Sequence, residues 1–114
     1  ILIDQNAAWY EGVFVDYFGR PACTTDGLAL LAMHTEAPVL PAYIVRLPDG
    51  RYRLVFGPEV EVIRTGDRDA DVLANTQRFT KVIEQIVRRY PDQWLCVHQR
   101  WKTQPCQVPR KQRC

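Results

Sequence analysis

Between Asp69 and Tyr90 the apolar side chains return at three- and four-residue steps: Val72, Leu73, the half-apolar Thr76, Phe79, Ile83, Ile86, Val87 and Tyr90. That spacing is the repeat of one helical face, so the sequence predicts a long amphipathic helix whose apolar side must be buried. Asp67, Asp69 and Asp71 gather at its start and Arg88 and Arg89 at its end, the charge order a helix dipole favours. Pro91 stops it.

Everything before this helix reads as scaffold. Ile1 to Ile3 is a short apolar run that ends in Asp4 and Gln5, the pattern of a buried strand presenting polar groups at its end, where α/β proteins place their sites. A turn or helix cap is the plainer reading of Asp4. Gly12 to Gly19, GVFVDYFG, is an extended or looped aromatic segment, and Arg20-Pro21 keeps the chain out of a helix. Its Phe14, Tyr17 and Phe18 either line an apolar groove or simply pack in a core. Thr24 and Thr25 precede a short inner helix from about Asp26 to Thr35, apolar nearly all round. Val39 to Val45 reads as a central or near-central strand weakened by Pro41. Leu47 to Gly50 supplies a turn, and Arg51 to Phe56 completes a hairpin. Val60 to Ile63 adds a further short strand. This order suits an α/β fold, the second half of a mixed sheet flanked by helices.

The long helix delivers an unusual stretch, Pro91 to Pro105, PDQWLCVHQRWKTQP. It holds Trp94, Trp101, His98, Arg100 and Lys102, and from Gln93 onward the chain has no acidic residue. In an extended segment Arg100 and Lys102 point to one face with Trp101 on the other. Such a surface favours an anionic partner, since arginine clamps a phosphate with two hydrogen bonds and lysine supplies a point charge. Solvated basic residues at a domain edge are the plain alternative. The residues beyond Pro105, nearly devoid of apolar side chains, read as a disordered basic tail over 106–114, leaving 1–105 as the folded part.

The composition of the 114 residues is that of an ordinary globular chain, 46% hydrophobic and 25% charged with a net charge of +2. Neither a membrane-spanning apolar run nor a signal-peptide pattern occurs. Cys23, Cys96, Cys106 and Cys114 are too irregularly spaced for a zinc site and read as unpaired thiols. Catalytic groups are scarce. The chain has no serine, no glycine-rich phosphate loop, and only His34 and His98 for acid-base work at neutral pH. His34 reads as structural or exposed. On its own residues the chain does not form a complete enzyme, and no metal or cofactor is expected.

Asp4-Gln5, GVFVDYFG, Thr24-Thr25, the strand ending at Arg46 and PDQWLCVHQRWKTQP together resemble the bacterial lipid A biosynthesis acyltransferases, in the lysophospholipid-acyltransferase superfamily. The resemblance covers Ile1 to about Pro105 and implies the C-terminal part of such an enzyme. The family moves an acyl chain from acyl carrier protein to a hydroxyl of a lipid A precursor at the cytoplasmic face of the bacterial inner membrane. Its catalytic pair is His-x4-Asp/Glu. Here Val39 follows His34 and Thr103 follows His98 at that spacing, so the resemblance implies that the pair lies before Ile1. It also implies substrate-contacting roles for Asp4, Gln5, Phe14, Phe18, Arg46, His98, Arg100 and Lys102. The partners implied are acyl carrier protein, the lipid acceptor and the membrane surface, without nucleic acid.

Asp16 stands where the family leads one to expect proline, and Glu36 where it leads one to expect glycine. His34, Gln99 and Gln104 stand at expected arginines, and Cys96 at an expected tryptophan. The competing readings are a non-catalytic module that binds anionic membrane or nucleic acid through Trp94, Trp101 and the tail, and an orphaned gene fragment.

Overall fold

The long helix is present almost as the periodicity places it. In the computed structural model, which describes residues 1–95 and 99–107, it spans Arg68–Arg89. The Asp67 carboxylate caps its start by accepting the Ala70 N–H. The loop before it is held by Asp71, whose carboxylate accepts the Thr65 N–H and hydroxyl at 2.8 and 2.6 Å. These bonds, the Thr65 hydroxyl first, hold the Asp71 carboxyl below its ordinary range against the opposing effect of burial.

Five further elements complete the chain. In order they are β1 (Gly12–Tyr17), β2 (Arg20–Thr25), α1 (Gly27–Thr35), β3 (Ala42–Arg46) and β4 (Tyr52–Phe56), and the long helix is then α2. Short 3₁₀ turns follow at Pro91–Gln93 and Pro105–Gln107. The expected α/β character holds. The expected mixed sheet does not form: among the described residues β1 pairs only with β2 and β3 only with β4, both antiparallel, in two separate hairpins.

Two expected strands do not form and a third is shortened to β3. Ile1 to Ile3 is not a strand; Ile1 and Leu2 are exposed and Ile3 alone is buried. Val39 makes only an isolated bridge to Val60, which is all that forms of the Val60 to Ile63 strand. Pro41, lacking an N–H, separates that bridge from β3. Conversely, β2 was hidden behind Arg20-Pro21. Pro21 is tolerated because it sits near the start of an edge strand, opposite Asp16.

Phe18 and Gly19 close the β1–β2 hairpin with φ of 53° and 76°. A two-residue turn with both φ positive matches the strand twist, and glycine at its second position removes half the steric cost. In the other hairpin Pro48, Asp49 and Gly50 form a three-residue loop closed by Leu47 and Arg51, with Gly50 at φ 84°.

The core is small. Ile3, Ala29, Val72 and Phe79 form its centre, with Val13, Leu28, Met33 and Ile83 packed around them. Of α1, only Ala29 and Ala32 are buried and Leu31 is exposed, so it lies on the surface rather than inside. The buried stripe of α2 is also more polar than expected. Asn75, Thr80 and Glu84 lie within it, and the Asn75 amide bonds both the N–H and the carbonyl of Ile63.

Candidate functional site

The closing stretch folds back on the first hairpin. After α2 the chain turns at Pro91, and Trp94 meets the Tyr17 ring edge-on at 5.7 Å. At the other end of the stretch Gln99 adopts φ 46° and the Lys102 N–H bonds the Gln99 carbonyl, a tight turn rather than an extended segment. The turn separates the two cations that extended spacing puts on one face. Arg100 is 2% exposed, whereas Lys102 faces solvent.

Arg100 is therefore an internal clamp. One guanidinium nitrogen donates to the Cys23 carbonyl at 2.9 Å and another donates to the Thr24 hydroxyl, while the group lies 5.1 Å from the Tyr17 ring centroid. Its neighbours extend the seam. Trp101 Nε1 donates to the Tyr17 carbonyl at 3.3 Å, and Thr103 joins the N-terminal segment by three bonds. The Asn6 amide accepts the Thr103 N–H and donates to its hydroxyl, which in turn donates to the Ala7 carbonyl. Residues near opposite ends of the chain are thus sewn together around Tyr17, which is 1% exposed.

A second buried charge supports the hairpin turn. Glu84 of α2, 1% exposed, accepts the Phe18 N–H at 2.6 Å and the Lys81 ammonium at 2.5 Å, with Arg88 Nε at 3.4 Å. The Lys81 bond first, then those of Phe18 and Arg88, hold the Glu84 carboxyl below its ordinary value despite burial. Arg88 also lies over the Phe18 ring at 4.5 Å, and Arg20 over the Trp101 ring at 4.9 Å. The outer rim of the cluster is consequently cationic: Arg20, Arg88 and Lys102 are all exposed.

The sequence-derived candidates are scattered about this cluster. Asp4 is half-buried and Gln5 exposed, in the bend just before Asn6. Phe14 points to the opposite face of β1 from Tyr17, by strand alternation, so Phe14, Tyr17 and Phe18 do not line one groove. Phe18 instead packs edge-on against Tyr17 at 4.8 Å. Arg46 projects into solvent at the end of β3, its backbone N–H and carbonyl both bonded by the Gln93 side-chain amide. His98, with Cys96, Cys114 and most of the basic tail, lies outside the described residues. His34 is exposed at the end of α1. Among the described residues no cluster of potential metal ligands occurs.

Sequence reasoning passed over Asn6, Thr24, Glu84 and Thr103. Thr24 looked like a helix cap, although its hydroxyl serves Arg100. Asn6 and Thr103 pair with each other 97 positions apart, so no local pattern marks them, whereas Glu84 was signalled by Lys81 and Arg88 at helical spacing and only its bond to Phe18 is distant. Asp16, at the position of an expected proline, offers its N–H to Gln77 Oε1 at 2.7 Å, a bond proline cannot make. Glu36, at an expected glycine, takes φ 57° at the C-cap of α1, the conformation glycine supplies without strain. Cys23 is a buried free thiol, and burial raises its pKa against the lowering influence of Arg100.

The described residues thus bring together a buried arginine clamp, an aromatic seam and a cationic rim. The family model for bacterial lipid A biosynthesis acyltransferases matches residues 1–103, and the chain belongs to that family. It is 33% identical over 104 residues to the lipid A biosynthesis palmitoleoyltransferase of Escherichia coli, covering 90% of this chain and 32% of that protein. It is 36% identical over 110 residues to the lipid A biosynthesis lauroyltransferase of Escherichia coli, covering 95% and 35% respectively. The chain thus spans about a third of the length of the curated relatives it matches.

Proposed function

We propose that this chain forms the acceptor-side wall of a transferase that moves a fatty acyl group from acyl carrier protein to a hydroxyl of a lipid A precursor. The reaction takes place at the cytoplasmic face of the bacterial inner membrane, within a lysophospholipid-acyltransferase-like fold. The observation that carries the reading is the cationic rim of Arg20, Arg88 and Lys102 around the seam by which the family's closing stretch grips the β1–β2 hairpin. Exposed arginines held over aromatic rings, together with the exposed Lys102, suit the phosphates of a lipid A precursor, because each contact is a charge-assisted hydrogen bond. Arg100, enclosed behind them, positions the wall and does not touch the ligand. Asp4 and Gln5, at the bend stitched to Thr103 through Asn6, and Phe14, Phe18 and Arg46 remain proposed substrate contacts. General-base chemistry falls to a His-x4-Asp/Glu pair outside these residues.

The test is binding of the chain to vesicles carrying a phosphorylated lipid A precursor. Replacing Arg20 and Lys102 by alanine together is expected to weaken binding about tenfold, or about 1.4 kcal/mol, with no change toward neutral lipid. Equal affinity of the variant and the parent refutes the assigned wall.

A further inference from the structure

Glu84 divides its two carboxylate oxygens between two tasks. Oε1 accepts the Phe18 N–H at 2.6 Å and so fixes the β1–β2 turn, while Oε2 accepts the Lys81 ammonium at 2.5 Å and Arg88 Nε at 3.4 Å. The Glu84 side chain is 2% exposed, whereas those of Lys81 and Arg88 are 53% and 59% exposed. An ordinary i,i+4 ion pair lies in water along a helix and contributes little. Enclosing its acid adds a desolvation cost that offsets the attraction, so what this arrangement secures is the placement of the two cations. Arg88 shows the result. Its guanidinium is held on one edge by Glu84 and on one face by the Phe18 ring, 4.5 Å from the centroid. Only Nε is engaged; neither terminal nitrogen has a hydrogen-bond partner among the described residues. Two terminal nitrogens at fixed spacing are the part of the guanidinium fork that grips two oxygens of one phosphate. Arg20, over the Trp101 ring just past the turn, and Lys81 add positive charge to the same rim.

We propose that Glu84 is a positioning residue for anion recognition, holding Arg88 across Phe18 so that its terminal nitrogens form a two-pronged subsite for a phosphate group. Glu84 itself does not touch the ligand. The inference rests on the acceptor-side reading above for the source of that phosphate, a lipid headgroup, while the subsite itself rests on the geometry of Glu84, Arg88 and Phe18. A diffuse basic patch makes the opposite prediction when the carboxylate is removed, because the loss of a negative charge strengthens it.

The test is binding of the chain to neutral phosphatidylcholine vesicles carrying a phosphorylated lipid A precursor, with inorganic phosphate as a second probe. Glu84→Gln keeps an oxygen for the Phe18 N–H and loses the acceptor of the two cations. It is expected to weaken binding about fivefold, although it makes the chain more positive. Arg88→Lys, which keeps the charge and loses the fork, is expected to weaken binding by about the same factor. The double variant is expected to bind no more weakly than Arg88→Lys alone, because Glu84 acts through Arg88. Unchanged or tighter binding by Glu84→Gln overturns the proposal, as does a double variant in which the two losses multiply. Should Glu84→Gln fail to fold by tryptophan emission, the exposed Arg88→Lys decides: weakened binding supports the subsite and parent-like binding overturns it. Loss of vesicle binding in the Arg20, Lys102 variant beside parent-like Glu84→Gln sinks this inference and leaves the wall standing. Inorganic phosphate bound with the expected dependence on Glu84 and Arg88, without binding to the vesicles, supports the subsite and sinks the acceptor-side reading. Binding of neither probe overturns both.

Discussion

Replacing Arg100 by alanine tests whether the closing stretch is held by an internal clamp or merely lies on the surface. The substitution removes two charge-assisted bonds, to the Cys23 carbonyl and the Thr24 hydroxyl, and the contact with the Tyr17 ring. Hydrogen bonds from a charged group are worth about 1.5–3 kcal/mol each, and a desolvated cation–ring contact about 2 kcal/mol. Relief from burying a guanidinium offsets part of this sum, which leaves an expected loss of about 3–5 kcal/mol. Lys102→Ala, two residues away but exposed, is expected to cost less than about 0.5 kcal/mol. Arg100→Lys is expected to rescue little, because an ammonium cannot span both acceptors as the planar fork does. Urea unfolding followed by tryptophan emission reads all three, since Trp94 and Trp101 both pack on Tyr17. Equal midpoints for Arg100→Ala and Lys102→Ala refute the clamp.

Other sites give sharper signs. Glu36→Gly should stabilise the chain by about 0.5–1 kcal/mol, seen as a higher Tm, because Glu36 holds φ 57° at the C-cap of α1. Gly12→Ala should destabilise it by about 1–3 kcal/mol in the same melting assay, since a Cβ there falls 2.2 Å from the Thr24 carbonyl oxygen. The lowered pKa of Glu84 means that its contribution is complete above the ordinary value of 4.5 and is lost as pH falls through the folded-state value. Acid titration of stability should therefore show a decline below about pH 4.5 that Glu84→Gln flattens, leaving the share contributed by Asp71; an unaltered profile contradicts the assignment.

The sequence by itself determined the elements whose causes are local. α2 followed from apolar spacing, an aspartate cap and a terminating proline, and the β3–β4 hairpin from alternation around Pro48-Asp49-Gly50. The family, too, was legible, because the closing stretch and the aromatic segment retain their residue order. Only the tertiary structure decided what depends on distant partners. Ile1 to Ile3 and Val60 to Ile63 carry strand-like residues, yet a strand exists only where another lies beside it to share hydrogen bonds. Arg100 and Lys102 are both cations two positions apart, and nothing in their own chemistry says which is enclosed. The turn at Gln99 and the meeting of Thr24 with a residue 76 positions later made one the clamp and left the other at the rim. Side-chain chemistry sets which groups can pair, whereas burial, and hence the strength of the pairing, is a property of the packed chain.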